Sequence, residues 1–119
     1  TDYKNFAIIN AGMNDLMRPA LYDSWHAVKE IRKSESDTRL YEIVGPVCES
    51  ADVLAKEREL NISQGDLIAI MDTGAYGSAM SSNYNSRLIV PEILVDGSSA
   101  KLIKKRQSFE DSITLEKNL

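Results

Sequence analysis

The apolar residues of this chain occur in short runs, and the longest purely aliphatic run, Leu67 to Met71, has five residues. A helix that crosses a bilayer needs roughly 20 apolar residues, so no transmembrane segment is expected. The runs are separated by Gly, Pro, Asn and Asp, which is typical of short strands joined by turns. The 119 residues correspond to one domain. Residues 1–119 are therefore predicted to form a single, mainly β domain, a small β-barrel or sandwich with one or two short helices.

Local pattern predicts the individual elements. Strands are predicted at 6–9, 25–31, 39–44, 53–60, 67–71, 88–95 and 100–106, and short helices at 19–25 and 108–113. The polar segment 33–37 predicts a hairpin between the second and third strands. The run 67–71 is continuously apolar, which favours a strand buried on both faces. Segment 53–60 is ambiguous because Ala, Lys and Glu favour helix, although its flanks indicate an extended segment. Pro91 indicates an edge or bulged strand.

Charge and cysteine content limit the classes of partner and compartment. Fourteen Lys plus Arg against eighteen Asp plus Glu give a net charge of −4, which disfavours nucleic-acid binding. The basic cluster at 101–106 is expected to be a solvated strand edge. Cys48 is the only cysteine and can form no internal disulfide, which favours a cytoplasmic, reducing compartment. His26 has no Cys or His at ligand spacing, so no metal site is expected.

Several places combine residue types that could carry chemistry. Cys48 follows Gly-Pro-Val at the expected end of a strand and is either a functional thiol or a buried structural one. Arg18 and Tyr22 lie one helical turn apart, where a guanidinium and a phenol suit a carboxylate; a cap with a packed aromatic ring is the alternative. Tyr76 stands between two glycines that admit a ligand or form an ordinary turn. The polar run 81–87 is a solvated loop or the wall of a site.

Three segments, in order and at the expected spacing, resemble the carboxy-terminal domain of the diaminopimelate decarboxylase family. They are NAGMNDLMRPALY at 10–22, GPVCESAD at 45–52, and DTGAYG at 72–77 with MSSNYN at 80–85. The similarity runs from about residue 6 to residue 106, and three long motifs in register are far more specific than any one of them. Asn10, Thr73 and Leu88 depart from the family pattern, and none of them is at a functional position.

The resemblance implies a fold and an activity. Members of this family are pyridoxal 5'-phosphate (PLP) enzymes that decarboxylate meso-diaminopimelate to L-lysine, and they are similar to ornithine decarboxylase. They combine a cofactor-carrying (β/α)8 barrel with a β-barrel domain, and the active site is shared across a homodimer. A (β/α)8 barrel needs about 250 residues. The resemblance therefore implies that this chain is the second domain alone, that the Schiff-base lysine lies outside it, and that the 119 residues are inactive in isolation.

The resemblance also implies roles for five residues. Cys48 resembles the proton donor, Glu49 resembles the partner of the substrate's distal ammonium, and Arg18 with Tyr22 resembles the clamp for the distal carboxylate. Tyr76 resembles the residue that contacts both the cofactor phosphate and the substrate. Ornithine and arginine decarboxylases typically have Asp after the cysteine, so Glu49 favours diaminopimelate. The alternatives are a decarboxylase of the ornithine or arginine type and a non-catalytic dimerisation or regulatory paralogue; retention of all five residues speaks against the paralogue.

Overall fold

The computed structural model describes residues 4–117, which are mainly β. The elements in chain order are β1 (Asn5–Ile8), α1 (Arg18–Tyr22), β2 (Val28–Glu30), β3 (Arg39–Val44), β4 (Val53–Leu60), β5 (Ile68–Ile70), α2 (Gly74–Ala79), a 3-10 turn (Tyr84–Ser86), β6 (Glu92–Asp96), β7 (Ser99–Lys104) and α3 (Phe109–Ser112). Within residues 4–117, no helix has the length and apolar character needed to cross a membrane.

The strands of the described residues form three sheets. β1 pairs parallel to β3, and β3 pairs antiparallel to β4. β2 pairs with β5 and β6 pairs with β7, in both cases antiparallel. The prediction of a mainly β domain is confirmed, with three short helices in place of one or two. Between residues 4 and 117 the sheets do not close into a barrel.

The hydrophobic core lies on the β3–β4 pair. Ile43, Leu54 and Leu60 are almost completely buried, and Leu16 packs against them from the segment before α1. The ladder shifts register next to Ile43, and Glu57 on the facing strand has a φ of 55°, which is typical of a β-bulge. Burial of its two leucines explains why β4 is a strand despite its helix-favouring composition, because tertiary packing outweighs local propensity.

Two predictions about strand pairing and burial are wrong. β2 pairs with β5 rather than with β3, because the polar loop between β2 and β3 binds the segment after β4; Ser36 Oγ donates to the carbonyl of Ile62 at 3.1 Å. The run 67–71 is not buried on both faces. It contributes three half-buried residues to a two-stranded sheet, and Leu67 is exposed.

The helices differ from the predictions mainly in where they end. α1 stops at Tyr22 because Asp23 adopts a left-handed φ of 52°, and its N–H donates to the carbonyl of Arg18. α2 is a helix at a place where a turn was expected. α3 is confirmed, since Ser108 and Asp111 form a reciprocal capping box. The strand predicted at 88–95 begins only after Pro91.

Candidate functional site

One buried carboxylate holds the loop 45–52 against the segment before α1. Asp52 is only 3% exposed, and its two oxygens accept from the backbone N–H of Met13 at 2.6 Å and of Val47 at 2.7 Å. Gly45 faces this carboxylate so closely that a Cβ there would overlap it. Asp52 therefore fixes the position of Cys48 and Glu49 relative to the start of α1, and Gly45 provides the space for it.

A second polar junction joins the segment before α1 to the run 81–87. Asn14 is fully buried, and its Oδ1 accepts from Nε of Arg87 at 2.8 Å. Arg87 also lies 3.4 Å from the carboxylate of Asp15. The backbone N–H of Ser82 donates to the carbonyl of Asn14 at 3.0 Å. The three motifs of the sequence thus meet around the segment that leads into α1.

The guanidinium of Arg18 is flanked by two tyrosine rings that come from different motifs. Its Cζ lies 5.3 Å from the ring centroid of Tyr22 and 5.2 Å from that of Tyr76, and both distances are within cation–π range. Gly77 is buried on α2, where a Cβ would come within 3.3 Å of the side chain of Thr73. Three of the five predicted site residues, Arg18, Tyr22 and Tyr76, are therefore brought together as an arginine–tyrosine cluster.

Glu49 has a partner that the sequence pattern did not reveal. Its Oε2 accepts from the hydroxyl of Tyr84 at 2.8 Å. This hydrogen bond and the carboxylate's charge raise the pKa of the Tyr84 phenol. Cys48, next to Glu49, is exposed, so the alternative of a buried structural thiol is wrong. Cys48, Glu49 and Tyr84 are called the thiol–carboxylate cluster below.

Sequence reasoning gave no individual role to four residues that organise these clusters: Asn14, Asp52, Tyr84 and Arg87. The last two lie in the polar run 81–87, for which it left open a solvated loop or the wall of a site. The hydrogen bond between Glu49 and Tyr84 spans 35 positions of the chain, and that between Asn14 and Arg87 spans 73. Periodicity reports neighbours within a few residues, so no local signal predicts these pairs.

The two clusters are separate in the described part of the chain. Among residues 4–117, no hydrogen bond or cation–π contact joins Arg18, Tyr22 or Tyr76 to Cys48, Glu49 or Tyr84. No group of three or more His, Cys, Asp and Glu that could hold a metal ion occurs between residues 4 and 117.

A cleft with a volume of about 790 Å³ lies elsewhere, between α2, β5 and the β6–β7 hairpin. A cleft of this size is the default place for a ligand. Its lining is largely aliphatic, and it includes none of the five predicted residues. Two of its charged groups, Glu92 and Lys104, already pair with each other at 2.9 Å. We therefore place the site by the chemistry of the two clusters rather than by cleft size.

The sequence matches a known family and several solved structures. The family described as "Pyridoxal-dependent decarboxylase, C-terminal sheet domain" matches residues 1–74. The diaminopimelate decarboxylase of Vibrio cholerae serotype O1 is 47% identical over 116 residues, which are 98% of this chain and 28% of that protein. The enzyme of the same name from Pseudomonas fluorescens is 51% identical over 111 residues, 93% of this chain and 27% of its own.

A structural relative gives the same picture. The crystal structure of diaminopimelate decarboxylase from Helicobacter pylori complexed with L-lysine has a TM-score of 0.88 and 44% identity, and the match covers 98% of this chain and 29% of that one. This chain therefore spans less than a third of the length of these relatives.

Proposed function

Because this chain belongs to the pyridoxal-dependent decarboxylase family, as a C-terminal sheet domain, we propose that it completes the active site of a diaminopimelate decarboxylase. The full-length protein converts meso-diaminopimelate to L-lysine and CO2, the last step of lysine biosynthesis. The names of the relatives and the L-lysine complex of the structural relative support this substrate and product.

The arginine–tyrosine cluster carries the proposal. Decarboxylation removes the carboxyl group next to the cofactor, so diaminopimelate and the product L-lysine both carry the distal carboxylate. An anion that leaves water needs a cationic partner with fixed geometry. The rings of Tyr22 and Tyr76 stack on the Arg18 guanidinium, and within residues 4–117 no acceptor binds its N–H groups. Stacking leaves the edge of the guanidinium available for two parallel N–H donors to one carboxylate. Arg18 with Tyr22 therefore forms the clamp for the distal carboxylate.

The described residues fit one part of a PLP site. Tyr76 is 65% exposed, and among residues 4–117 its hydroxyl has no hydrogen-bond partner, which leaves a neutral donor for a phosphate oxygen. PLP supplies an electron sink for the electron pair left when CO2 departs. We assign the Schiff-base lysine to a (β/α)8 barrel of the full-length protein, and residues 1–119 to a C-terminal domain whose sheets close into a barrel in that protein.

The thiol–carboxylate cluster supplies the two remaining functions, which are protonation of the α-carbon and binding of the distal ammonium. Cys48 Sγ gives a proton to the α-carbon after CO2 has left, and its exposed position makes it accessible to a substrate bound against another surface. Glu49 binds the distal ammonium. No hydrogen bond or cation–π contact joins the two clusters within residues 4–117, which supports an active site shared across a cytoplasmic homodimer, with each cluster on a different protomer.

Replacement of Cys48 in the full-length protein tests its role. Cys48→Ala should lower kcat by about 10²- to 10⁴-fold, the range for a lost general acid, while PLP absorbance is unchanged because binding and protonation are separate tasks. Ser98→Ala, at an exposed turn far along the chain, is the control and should keep full activity. Unchanged turnover of Cys48→Ala would exclude the thiol as the proton donor.

Replacement of Arg18 tests the choice of substrate. Arg18→Ala should raise KM for diaminopimelate roughly 10- to 100-fold, since a hydrogen bond to a charged group contributes about 1.5 to 3 kcal/mol. Inhibition by L-lysine, which keeps the distal carboxylate, should weaken to a similar extent, whereas inhibition by cadaverine, which lacks it, should weaken much less. Arg58→Ala is the matched control, because Arg58 also stacks on an aromatic ring, that of Trp25, at 4.6 Å. Equal effects of Arg18→Ala on L-lysine and cadaverine would remove the clamp from the proposal.

A further inference from the structure

We propose that Tyr84 is a positioning residue that orients the carboxylate of Glu49 towards the substrate's distal ammonium, an inference that rests on the proposed function of Glu49. The Tyr84 hydroxyl donates to Oε2 at 2.8 Å. Within residues 4–117, Oε1 of Glu49 accepts from no donor. A carboxylate with one oxygen held and the other open presents a single fixed acceptor to an incoming ammonium.

Tyr84 is held in place independently of Glu49. It begins a tight turn in which Asn85 and Ser86 have φ values of 59° and 58°, its own N–H donates to Ser82 Oγ at 3.3 Å, and its carbonyl accepts from the N–H of Arg87 at 3.3 Å. Both flanks of this turn bind the buried Asn14, through the N–H of Ser82 and Nε of Arg87. The second polar junction therefore anchors the backbone that carries the phenol.

The Glu49 side chain, in contrast, has little else to hold it. The loop backbone is ordered by Asp52, whose N–H donates to the carbonyl of Glu49 at 3.0 Å, but the carboxylate is exposed. A free glutamate side chain samples several rotamers, and ordering it when a ligand binds costs conformational entropy. Tyr84 removes part of that cost before the ligand arrives, as expected of a preorganised site.

The phenol is suited to this task because it stays a donor. The carboxylate of Glu49 accepts its hydrogen bond and repels a phenolate, so the pKa of Tyr84 lies above its ordinary value. At neutral pH the hydroxyl is protonated and donates to Glu49 throughout. This role requires the polar run 81–87 to be the wall of a site, which is the second of its two predicted alternatives, rather than a solvated loop.

Tyr84→Phe in the full-length protein tests the inference, because it removes only the hydroxyl. The readout is inhibition by L-lysine, whose α-ammonium is the distal ammonium, and by 6-aminohexanoate, which lacks that ammonium but keeps the distal carboxylate and the other amine. The lysine inhibition constant should rise roughly three- to tenfold, since solvent weakens an exposed hydrogen bond to a charge, and that of 6-aminohexanoate should stay within about twofold. Tyr41→Phe, a half-buried tyrosine of β3, is the matched control and should change neither constant.

A double-mutant cycle separates this role from a structural one. In a Glu49→Ala background, Tyr84→Phe should cause no further loss for lysine, because Tyr84 acts through Glu49. Additive losses, or equal losses for lysine and 6-aminohexanoate, would overturn the inference and leave the proposed function standing. If Glu49→Ala alone leaves the ratio of the lysine and 6-aminohexanoate inhibition constants unchanged, the roles of both Glu49 and Tyr84 are wrong.

Discussion

The junction of the three motifs and the β6–β7 hairpin differ in the contacts that hold them in place within this chain. At the junction, Asp52 and Asn14 are buried at 3% and 0% exposure, and both are hydrogen-bonded. On the hairpin, apolar side chains that alternate between the two faces are exposed, among them Ile93, Leu94 and Leu102. The described residues therefore specify the junction through buried polar contacts, whereas the hairpin depends on its backbone ladder and on exposed polar contacts at its base.

Polar contacts attach the hairpin to the rest of the domain at its base. Glu92 on β6 accepts from Lys104 on β7 at 2.9 Å and from Ser78 on α2 at 2.5 Å. Gln107, just after β7, accepts from the N–H of Ile89 at 3.0 Å. No hairpin residue belongs to the buried core of the described chain. Substitutions in the two regions should therefore differ sharply in their effect on the free energy of unfolding.

The largest effect is expected at Asp52. Asp52→Ala leaves the N–H groups of Met13 and Val47 without their acceptor, and each unsatisfied buried group costs about 1 to 3 kcal/mol. The free energy of unfolding should fall by about 2 to 5 kcal/mol, as measured by urea denaturation. Asp52→Asn, which keeps one acceptor oxygen, should lower the free energy of unfolding by a smaller amount. A loss as small as that of a surface substitution would remove the contrast between the two regions.

The next largest effect is expected at Arg87. Arg87→Ala removes the donor to Oδ1 of the buried Asn14 and should lower the free energy of unfolding by about 1 to 3 kcal/mol. Arg106→Ala, at an exposed position after β7, is the control and should change it by about 0.5 kcal/mol or less. Similar losses for the two arginines in urea denaturation would contradict the special role of the junction.

Small effects are expected on the hairpin. Ile93 and Leu102 are cross-strand partners, and both are about half exposed. In this chain, Ile93→Thr and Leu102→Thr should each change the free energy of unfolding by about 0.5 kcal/mol or less. The same substitutions in the full-length protein sharpen the comparison, because a larger loss there would show that another segment covers this face.

The smallest effect is expected at α3. The backbone N–H and then the hydroxyl of Ser108 hold the pKa of Asp111 below its ordinary value of 3.8. The ionised carboxylate therefore contributes its full stabilisation of α3 when the pH is above the ordinary pKa. This contribution is lost as the pH falls through the lower pKa of the folded state. Wild type and Asp111→Asn should differ in stability at neutral pH and converge in strong acid. A difference that persists in strong acid would contradict this cause.

The sequence predicted those features whose determinants lie close together in the chain. β3 and β4 have the predicted bounds, the capping box joins Ser108 to Asp111, and Arg18 contacts Tyr22 one turn away. Features that depend on distant partners could not be predicted. The pairing of β2 with β5 and the position of the Asp52 carboxylate between two loops depend on tertiary contacts, which outweigh local propensity.

The exposed Cys48 gives this domain a practical property. It is the only cysteine of the chain, and Trp25 is the only tryptophan; both are exposed. A thiol-reactive dye would label one position without any engineered cysteine, and the indole of Trp25 would serve as the single energy-transfer donor. Energy transfer between Trp25 and the dye would then report on movement of the loop 45–52 relative to the end of α1. Neither the donor nor the labelling site has to be introduced by mutation.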